Sequence, residues 1–200
     1  MEITITTLTN NQEVLNAART TVWKEDLIKE PTKKFMNDIY MGEHSPIRCK
    51  IFMIEYKGIK RWIADHFVRH HVGVTPFMST QREDRNDEIM AISIEENENP
   101  RDNAKQGSLV NLKMLMNAQA FIDISKRRIC GQAHPETQKV WNLTLNKLKE
   151  VDFELFKHCV PMCVYKGFCP ESYPCGRTEW KLYKNWRKEY VGNRPQITIE

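Results

Sequence analysis

The chain has 200 residues, of which 40% are hydrophobic and 28% are charged, as is typical of a single globular domain with its own core. Its 30 basic and 26 acidic residues leave a net charge of +4, too balanced to indicate general nucleic-acid binding. No apolar run approaches the roughly 18 residues that span a bilayer, and the N-terminus lacks the pattern of a signal peptide. We therefore expect a cytoplasmic protein with neither membrane nor nucleic acid as a direct partner.

The first third of the chain predicts strands around one helix. A short strand is predicted over residues 3–8, and helical spacing of apolar side chains predicts an amphipathic helix over residues 11–29 that Pro31 terminates. Residues 47–56 have the pattern of a strand, which we expect to end in a turn at Lys57-Gly58. The apolar residues 59–68 fit either a helix or a strand.

The middle of the chain alternates between a polar and an apolar segment. Residues 82–107 are dense in charged and amide side chains, which predicts a candidate mobile loop with a short strand over residues 89–94. Ser108 is a candidate helix N-cap. The apolar residues that follow it predict one long helix that extends toward Arg128.

The C-terminal part predicts two further helices. Pro135 marks the start of a helix that contains Trp141, Leu145 and Leu148. The basic and aromatic residues 180–190 have helical spacing but no defined chemistry. We expect residues 1–155 to form one domain and residues 156–200 to be a Cys-rich, basic and aromatic extension of the same domain.

Two polar clusters stand close together after the apolar residues 59–68. The first is Arg69-His70-His71, and the second, ten residues later, is residues 79–82. Arginine offers a planar fork that suits phosphate, and histidine donates to phosphate oxygens or to the edge of a flavin ring. A phosphorylated ligand fits these clusters. The alternative for the triplet alone is a solvated loop in which one histidine satisfies core carbonyl groups.

Three segments in the same order resemble the flavin-dependent thymidylate synthases. RHHVGVTPFMSTQRED (residues 69–84) is similar to the family signature R-H-R-x(2)-S-x-N-x(2)-S-x-R-Y. GEHSPIRCKIFMIEYKGIKRWIADHFVRHH (residues 42–71) resembles the G-H-x-S-P-x-E-H stretch and the approach to the signature. MNAQAFIDISKRRICGQAHPETQ (residues 116–138) resembles the helix N-A-R-x(3)-N-x(4)-R-x(3)-H-x-Q. The resemblance covers roughly residues 12–150.

The chain departs from the family pattern at several positions. The departing residues are Arg48, Cys49, His71, Val74, Pro76, Gln119 and Asp123, and His134 matches only after a two-residue insertion. Without a gap, Ser79 matches the family serine and Gln81 replaces the arginine. One inserted residue instead matches Thr80 and Arg82, which we favour because a substrate phosphate needs a cation there.

The resemblance implies an α+β fold, a single domain in which helices flank a mixed or antiparallel sheet, assembled as a homotetramer with shared active sites. It also implies an enzyme that converts dUMP to dTMP. Bound FAD would be the cofactor, methylenetetrahydrofolate the carbon donor and NADPH the reductant. The protein's part in such chemistry is binding, orientation and electrostatics.

The resemblance also assigns residues to roles. Arg128 would be catalytic, stabilising negative charge on the uracil ring; its alternative role is a surface partner of Asp123 or Glu136. The cofactor-binding residues would be Ser45, Arg69, His70, His71, Asn117, Gln119, Asp123 and His134. The substrate-binding residues would be His66, Arg69, Ser79, Thr80, Arg82 and Arg128.

Two rival functions remain open. A flavin- and folate-dependent dUMP hydroxymethylase, or another enzyme that modifies C5 of a pyrimidine, would trap the methylene group with water, and the altered positions His71, Gln119 and Asp123 favour it. A rival of another class is a non-catalytic nucleic-acid-binding protein that uses the basic clusters. The balanced charge argues against that rival.

The tail contains a separate feature, a group of cysteines. Cys159, Cys163, Cys169 and Cys175 lie within 17 residues in a chain of six cysteines, and their spacing differs from the C-x(2)-C knuckle of structural zinc. Such soft ligands are able to hold zinc or an iron–sulfur cluster, with Cys130 as a substitute for one of them. The alternative is a set of buried thiols that pack a loop.

Overall fold

The computed structural model describes residues 1–85 and 101–192. The strands are β1 (Glu2–Thr7), β2 (Ile51–Lys60), β3 (Val74–Met78) and β4 (Leu109–Asn117). The helices are α1 (Asn11–Thr20), α2 (Lys33–Met41), α3 (Arg61–Val68), α4 (Ala118–Arg128), α5 (Pro135–Val151), α6 (Phe153–Phe156), α7 (Met162–Lys166) and α8 (Lys181–Gly192). Short 3₁₀ turns occur at Ser45–Cys49, Glu83–Arg85 and Arg177–Glu179. The strand predicted over residues 89–94, and most of the polar loop around it, lie outside the described residues.

A four-stranded sheet of order β1-β2-β4-β3 forms the centre of the fold, and every neighbouring pair is antiparallel. One face of β2 and β4 is buried through alternate residues, and α5 covers it with Trp141 and Leu148. Polar bonds fix this packing: Trp141 Nε1 donates to Ser125 Oγ at 2.9 Å, and Tyr56 Oη lies 3.0 Å from Thr144 Oγ1. The predicted α+β class with an antiparallel sheet flanked by helices is confirmed. No helix in the described part of the chain is long and apolar enough to cross a bilayer.

Helix α1 is shorter than predicted, since it ends at Thr20 instead of continuing to residue 29. The loop that follows is bonded to the helix's own side chains: Arg19 Nε donates to the carbonyl of Glu25, and Leu27 N donates to Asn16 Oδ1 at 3.0 Å. These bonds satisfy the carbonyl of Glu25 and the N–H of Leu27, which a continuing helix would have paired along its own backbone. Trp23 also adopts a left-handed backbone with φ +57°, which a helix does not allow. The prediction was wrong because apolar spacing alone does not show such side-chain bonds.

Strand β2 does not turn at Lys57-Gly58 as predicted. It continues to Lys60, and its pairing with β4 shifts register between Tyr56 and Ile59. Gly58 takes φ +70° there, and its N–H donates to Asn111 Oδ1 at 3.0 Å. The dipeptide therefore forms a bulge within a long strand. The predicted start of the strand is also corrected, because residues 47–49 belong to the 3₁₀ turn Ser45–Cys49.

The predicted long helix from Ser108 to Arg128 is in fact a strand followed by a helix. Burial alternates along β4, with Val110, Leu112, Met114 and Met116 inside. That period of two is the period of a strand, and the apolar residues that also face outward along β4 concealed it. Asn117, not Ser108, is the N-cap, and its Oδ1 accepts from Ala120 N at 2.9 Å.

Other predicted elements are confirmed. Strand β1 occupies the predicted N-terminal position, and the apolar residues 59–68 divide into the end of β2 and helix α3. Helix α5 begins at Pro135, whose missing N–H costs nothing at a helix start. The basic C-terminal segment forms α8, which buries Tyr183 and Tyr190.

A buried histidine joins α2 to α8. His158 is 1% exposed, its Nε2 lies 3.2 Å from Asn37 Oδ1, and its Nδ1 is buried without a hydrogen-bond partner. Burial, followed by the charge of Lys157, lowers the pKa of His158 to about 4. The folded protein therefore carries this ring as a neutral group at physiological pH.

We expect the free energy of unfolding to fall as the pH is lowered from 6.5 to about 4. Between those values the unfolded chain binds a proton at His158 that the folded chain does not, so protonation favours unfolding. The contribution of His158 is fully present above pH 6.5, and its loss amounts to about 3 kcal/mol. Urea unfolding at a series of pH values measures this slope.

His158→Gln should make the slope shallower, since glutamine does not titrate, and the slope that remains includes that of His70. His44→Gln, a change at an exposed histidine, is the control and should leave the slope unchanged. Equal slopes for wild type and His158→Gln would contradict the prediction.

Candidate active site

Arg128 lies where the C-terminal ends of α3 and α4 meet. Its Nε donates to His70 Nε2 at 3.0 Å, and its Nη2 donates to the carbonyl of His66 at 2.5 Å. The side chain is part-buried, yet no carboxylate in the described residues pairs with it. Asp123 pairs with Lys126, and Glu136 pairs with Lys60 at 2.6 Å. The geometry therefore does not support the alternative of a surface ion pair for Arg128.

The surroundings of His66 and His70, the two histidines beside Arg128, favour the neutral form of each ring. Burial, followed by the charges of Arg128, Arg127 and His71, lowers the pKa of His70 to about 4. Burial and then Arg128 and Arg69 lower the pKa of His66, whose Nδ1 lies 2.9 Å from Thr137 Oγ1. Because His70 Nε2 accepts from Arg128, its proton must be on Nδ1.

The surroundings of this pair are strongly positive. Burial and the neighbouring Arg69 lower the pKa of Arg128 from its usual value, although a guanidinium remains charged. Arg69, His71 and Arg127 are exposed, and in the described part of the chain none of them is in an ion pair. A partly buried cation without a counter-ion is costly, so the site favours an anionic ligand.

A glycine turn holds the Arg69-His70-His71 segment against the start of α4. Gly73 has φ +71°, and a Cβ there would lie 2.6 Å from Asn117 Nδ2. Its carbonyl accepts from Asn117 N at 3.0 Å. Asn117 therefore both caps α4 and contacts this turn. The turn at Gly73 therefore holds the segment that carries His70 against Asn117, and both His70 and Asn117 are predicted cofactor residues.

Gly73→Ala is expected to destabilise the protein by about 2 kcal/mol and to lower activity. The new methyl group would strain the left-handed backbone and displace Asn117, which moves the neighbouring histidines. Gly107→Ala is the matched control, because no atom lies within 4 Å of a Cβ at that position. Thermal unfolding of both variants measures the effect. Equal stability of the two would show that the turn is not constrained.

Residues 79–82 lie beyond the other end of α3, an eight-residue helix that is about 12 Å long. Ser79 pairs with β4, where its Oγ accepts from Asn111 N at 3.0 Å. Arg82 is exposed and forms a two-point ion pair with Asp84 at 2.8 and 2.9 Å, and Thr80 Oγ1 accepts from Arg82 N at 3.1 Å.

The inward-facing side chain of this segment is Gln81. It is 7% exposed and accepts from Arg61 Nη1, and among the described residues its own Nε2 has no partner. The ungapped alignment puts Gln81 at the family arginine, and Arg61 is the cation bonded to that position. No sequence pattern indicates the Arg61–Gln81 pair.

A second polar network lies along α4. Lys126 is 7% exposed and donates to Glu43 at 2.8 and 2.9 Å and to Asp123 at 3.2 Å. Gln119 Nε2 donates to the same Glu43 at 2.5 Å. Burial alone would lower the pKa of Lys126, but Glu43 and Asp123 outweigh burial and raise it. The predicted cofactor residues Gln119 and Asp123 are therefore engaged within the protein.

Sequence reasoning missed Glu43 and Lys126 as members of this network. Glu43 has a left-handed backbone with φ +47°, which is unusual for a glutamate and marks a constrained position. The ring of Tyr165 lies 4.1 Å from Lys126 Nζ. Neither feature has a signature in the sequence.

The remaining predicted cofactor residues lie at element boundaries. Ser45 begins the 3₁₀ turn and lines an open cleft of about 430 Å³ beside α1 and α2. His134 caps α5, and its Nδ1 accepts from Glu136 N at 3.3 Å. Its ring lies 4.6 Å from that of Trp62, whose ring in turn contacts His66. His134 thus contacts Trp62, and Trp62 contacts His66, whose carbonyl accepts from Arg128.

The predicted tail metal ligands do not form one group. Cys159 is 3% exposed within the main core, and Cys163 belongs to a second buried cluster with Val164 and Tyr183. In residues 1–85 and 101–192, no three His, Cys, Asp or Glu side chains already stand in a metal-binding arrangement. All six cysteines are free thiols.

Comparison with known proteins gives one relative by sequence and several by structure. No protein-family profile matches the chain. A flavin-dependent thymidylate synthase from Clostridium tetani is 24% identical over 201 aligned positions, which cover 76% of this chain and 80% of the relative.

Solved structures show the same fold. A flavin-dependent thymidylate synthase from Helicobacter pylori, complexed with FAD and dUMP, aligns with a TM-score of 0.61 at 16% identity and covers 80% of this chain and 100% of its own. The UMP/dUMP methylase PolB from Streptomyces cacaoi, bound with 5-Br dUMP, aligns with a TM-score of 0.58 at 12% identity, over 84% of this chain and 96% of its own.

Proposed function

We propose that this chain, a divergent relative of the flavin-dependent thymidylate synthases in sequence and in fold, is a flavin-dependent enzyme that converts dUMP to dTMP. The observation that carries the proposal is the pair of Arg128 and neutral His70, in which a half-buried guanidinium has no counter-ion among residues 1–85 and 101–192. The Helicobacter and Streptomyces structures add the substrate class, because both contain a dUMP ligand or its analogue.

Arg128 is the residue that stabilises charge on the pyrimidine. A uracil ring that becomes nucleophilic at C5 gathers negative charge on N3 and O2, and a preorganised guanidinium lowers the energy of that state. His70 and the carbonyl of His66 fix the fork of Arg128 through two hydrogen bonds. The guanidinium therefore needs little reorganisation when the substrate binds.

The two histidines act as neutral groups. His70 keeps its proton on Nδ1 and is therefore a donor on the side away from Arg128. His66 is oriented by Thr137 and lies one helical turn earlier on α3. Their low pKa values prevent additional positive charge from accumulating beside Arg128 at physiological pH.

FAD is the cofactor that the site suits, since exposed cations without carboxylate partners match its diphosphate. Arg69 and His71 would hold the phosphates, with His70 and Asn117 on the flavin side and Ser45 and His134 at the edges. Gln119 and Asp123 would affect the flavin site indirectly, because Gln119 is bonded to Glu43 and Asp123 is bonded to Lys126. Bound FAD, reduced by NADPH, would supply the hydride that turns the methylene group of methylenetetrahydrofolate into the methyl group of dTMP.

The nucleotide phosphate is assigned to residues 79–82. In the ungapped register, Ser79 and the Arg61–Gln81 pair would bind it, and the buried Gln81 Nε2 lacks a hydrogen-bond partner in the part of the chain that the structure describes. In the gapped register, Thr80 and Arg82 would bind it after Arg82 leaves Asp84. A homotetramer with shared active sites, in which a second chain completes the site, rests on the resemblance to the flavin-dependent thymidylate synthases.

A dUMP hydroxymethylase is the second candidate. Gln119 and Asp123 are tied to Glu43 and Lys126 rather than free to contact a flavin. An altered flavin position would leave the methylene group open to water instead of hydride. The product would then be heavier than dTMP by one oxygen.

The experiment is a product analysis on the purified full chain with FAD, dUMP, methylenetetrahydrofolate and NADPH. We expect a flavin spectrum from the protein and a nucleotide product with the mass of dTMP. A hydroxymethyl product would replace the first candidate with the second. A protein that binds no flavin and leaves dUMP unchanged, but binds DNA with strong salt dependence, would establish the non-catalytic alternative.

A further inference from the structure

Four cysteines from separate segments line one small pocket. Cys130 follows the end of α4, Cys163 lies in α7, and Cys169 and Cys175 lie in the loop between α7 and the 3₁₀ turn Arg177–Glu179. Cys159, which belongs to the same sequence cluster, is absent from this pocket and lies in the main core. The fold thus brings together the set in which Cys130 substitutes for Cys159, the alternative that the sequence left open.

The loop that carries Cys169 and Cys175 is attached to the turn after α4. Cys175 Sγ would lie 2.7 Å from a Cβ on Gly131, the residue next to Cys130. Arg177 Nη1 donates to the carbonyl of Ile129 at 2.9 Å, and Gln132 Nε2 donates to the carbonyl of Tyr173. These contacts hold Cys175 close to Cys130.

Cys163 lines the pocket together with Cys130 and Cys169. It is buried in the second apolar cluster, against which Cys169 packs. Each of these three cysteines is a free thiol, so no disulfide occupies the pocket.

The loop itself has little apolar packing to order it. Phe168 is 58% exposed and Tyr173 is 85% exposed, although both are large hydrophobic side chains. Gly167 and Gly176 at its two ends have left-handed backbones with φ +87° and +73°. Ordering such a segment costs conformational entropy, and its exposed rings offset little of that cost by burial.

We propose that Cys130, Cys163, Cys169 and Cys175 bind one Zn²⁺ ion that fixes the α7–α8 loop to the C-terminal end of α4. Four thiolates match the preference of zinc for soft, tetrahedral ligands at about 2.3 Å. No three of the four side chains, all within the described residues, stand in a metal-binding arrangement, so binding requires them to turn toward a common centre. The thiols release protons to solvent as they bind, because the ion stabilises the thiolate.

The site has a structural consequence for the candidate active site. Cys130 is two residues from Arg128, and the end of α4 positions both. A zinc ion at Cys130 would restrain that end of the helix without contact to any substrate. Its role is therefore independent of which pyrimidine product the enzyme makes.

The test is the metal content of the full chain purified after expression with added zinc. We expect about one Zn²⁺ per chain in the wild type, and at least a tenfold loss in Cys163→Ser and Cys175→Ser. Cys49→Ser is the matched control, since Cys49 is an exposed cysteine outside the pocket. Cys159→Ala tests the set that the sequence indicated. Both controls should keep the wild-type zinc content.

A second measurement does not depend on the folding of a variant. Zinc is removed from the wild type with a chelator, and Co²⁺ is then added to the flavin-free protein. We expect absorption bands of tetrahedral thiolate–cobalt coordination to appear. Four thiols should at the same time become protected from a thiol reagent. Zinc-free wild type without such bands would overturn the proposal. Zinc that persists in Cys163→Ser, or iron with acid-labile sulfide in place of zinc, would also overturn it. None of these results depends on turnover of dUMP.

Discussion

Arg128→Lys is expected to lower the rate of dUMP turnover about 100- to 1000-fold, the usual cost of losing one preorganised donor to a developing anion. Lysine keeps the positive charge, but its single ammonium nitrogen lacks the planar fork from which Arg128 donates through Nε to His70 and through Nη2 to the carbonyl of His66. The loss should appear in kcat, with flavin binding retained. Steady-state kinetics with a flavin absorption spectrum measure both quantities.

Arg19→Lys is the matched control for that change. Arg19 also donates from Nε to a backbone carbonyl, that of Glu25, but it lies on α1 outside the candidate active site. Turnover by this variant should equal that of the wild type. If Arg128→Lys kept more than about a tenth of wild-type kcat, charge alone would suffice and the proposed role of the fork would be wrong.

Lys126→Met is expected to destabilise the protein by about 3 kcal/mol, since removing one partner of a buried ion pair leaves the other uncompensated. Lys126 is the cation shared by Glu43 and Asp123, and its side chain is 8% exposed. Without it, the two carboxylates would repel each other and Glu43 would lose its main partner in its constrained backbone. Chemical denaturation measures the change in the free energy of unfolding.

Lys34→Met removes the lysine of an ion pair of similar length at the surface. Lys34 lies 2.6 Å from Asp38, but its side chain is 81% exposed, so the loss should be below about 1 kcal/mol. The contrast between the two variants isolates the effect of burial. Similar losses for both would show that the Glu43–Lys126 pair contributes no more than a surface pair.

The fold could be predicted where one periodicity dominates. Strand β1 and helices α5 and α8 have clear patterns, and Pro135 marks a helix start. Strand β4 could not be recognised, because Leu109 and Leu115 on its outer face add apolar residues that also fit a helical repeat. The bulge at Gly58 was mistaken for a turn, since a glycine with positive φ serves both structures.

The candidate site was predictable to the extent that its residues are close in sequence or belong to a family motif. The resemblance led to Arg128 and His70, which the structure places in contact. Glu43, Lys126 and Arg61 were missed because their partners lie 83 and 20 residues away in sequence. The sequence could offer Cys130 only as a substitute for one of the tail cysteines, because the packing of α4 against α7, which brings Cys130 to them in place of Cys159, is not visible in sequence spacing.

Tritium release from dUMP labelled at C5 tests the central claim most directly. Both the methyl and the hydroxymethyl reactions replace the hydrogen on C5, so either product requires its release to water. We expect release that depends on added FAD and methylenetetrahydrofolate and that falls about 100-fold or more in Arg128→Lys. No release from folded, flavin-bound wild type would contradict the assignment of this chain as an enzyme that modifies C5 of dUMP.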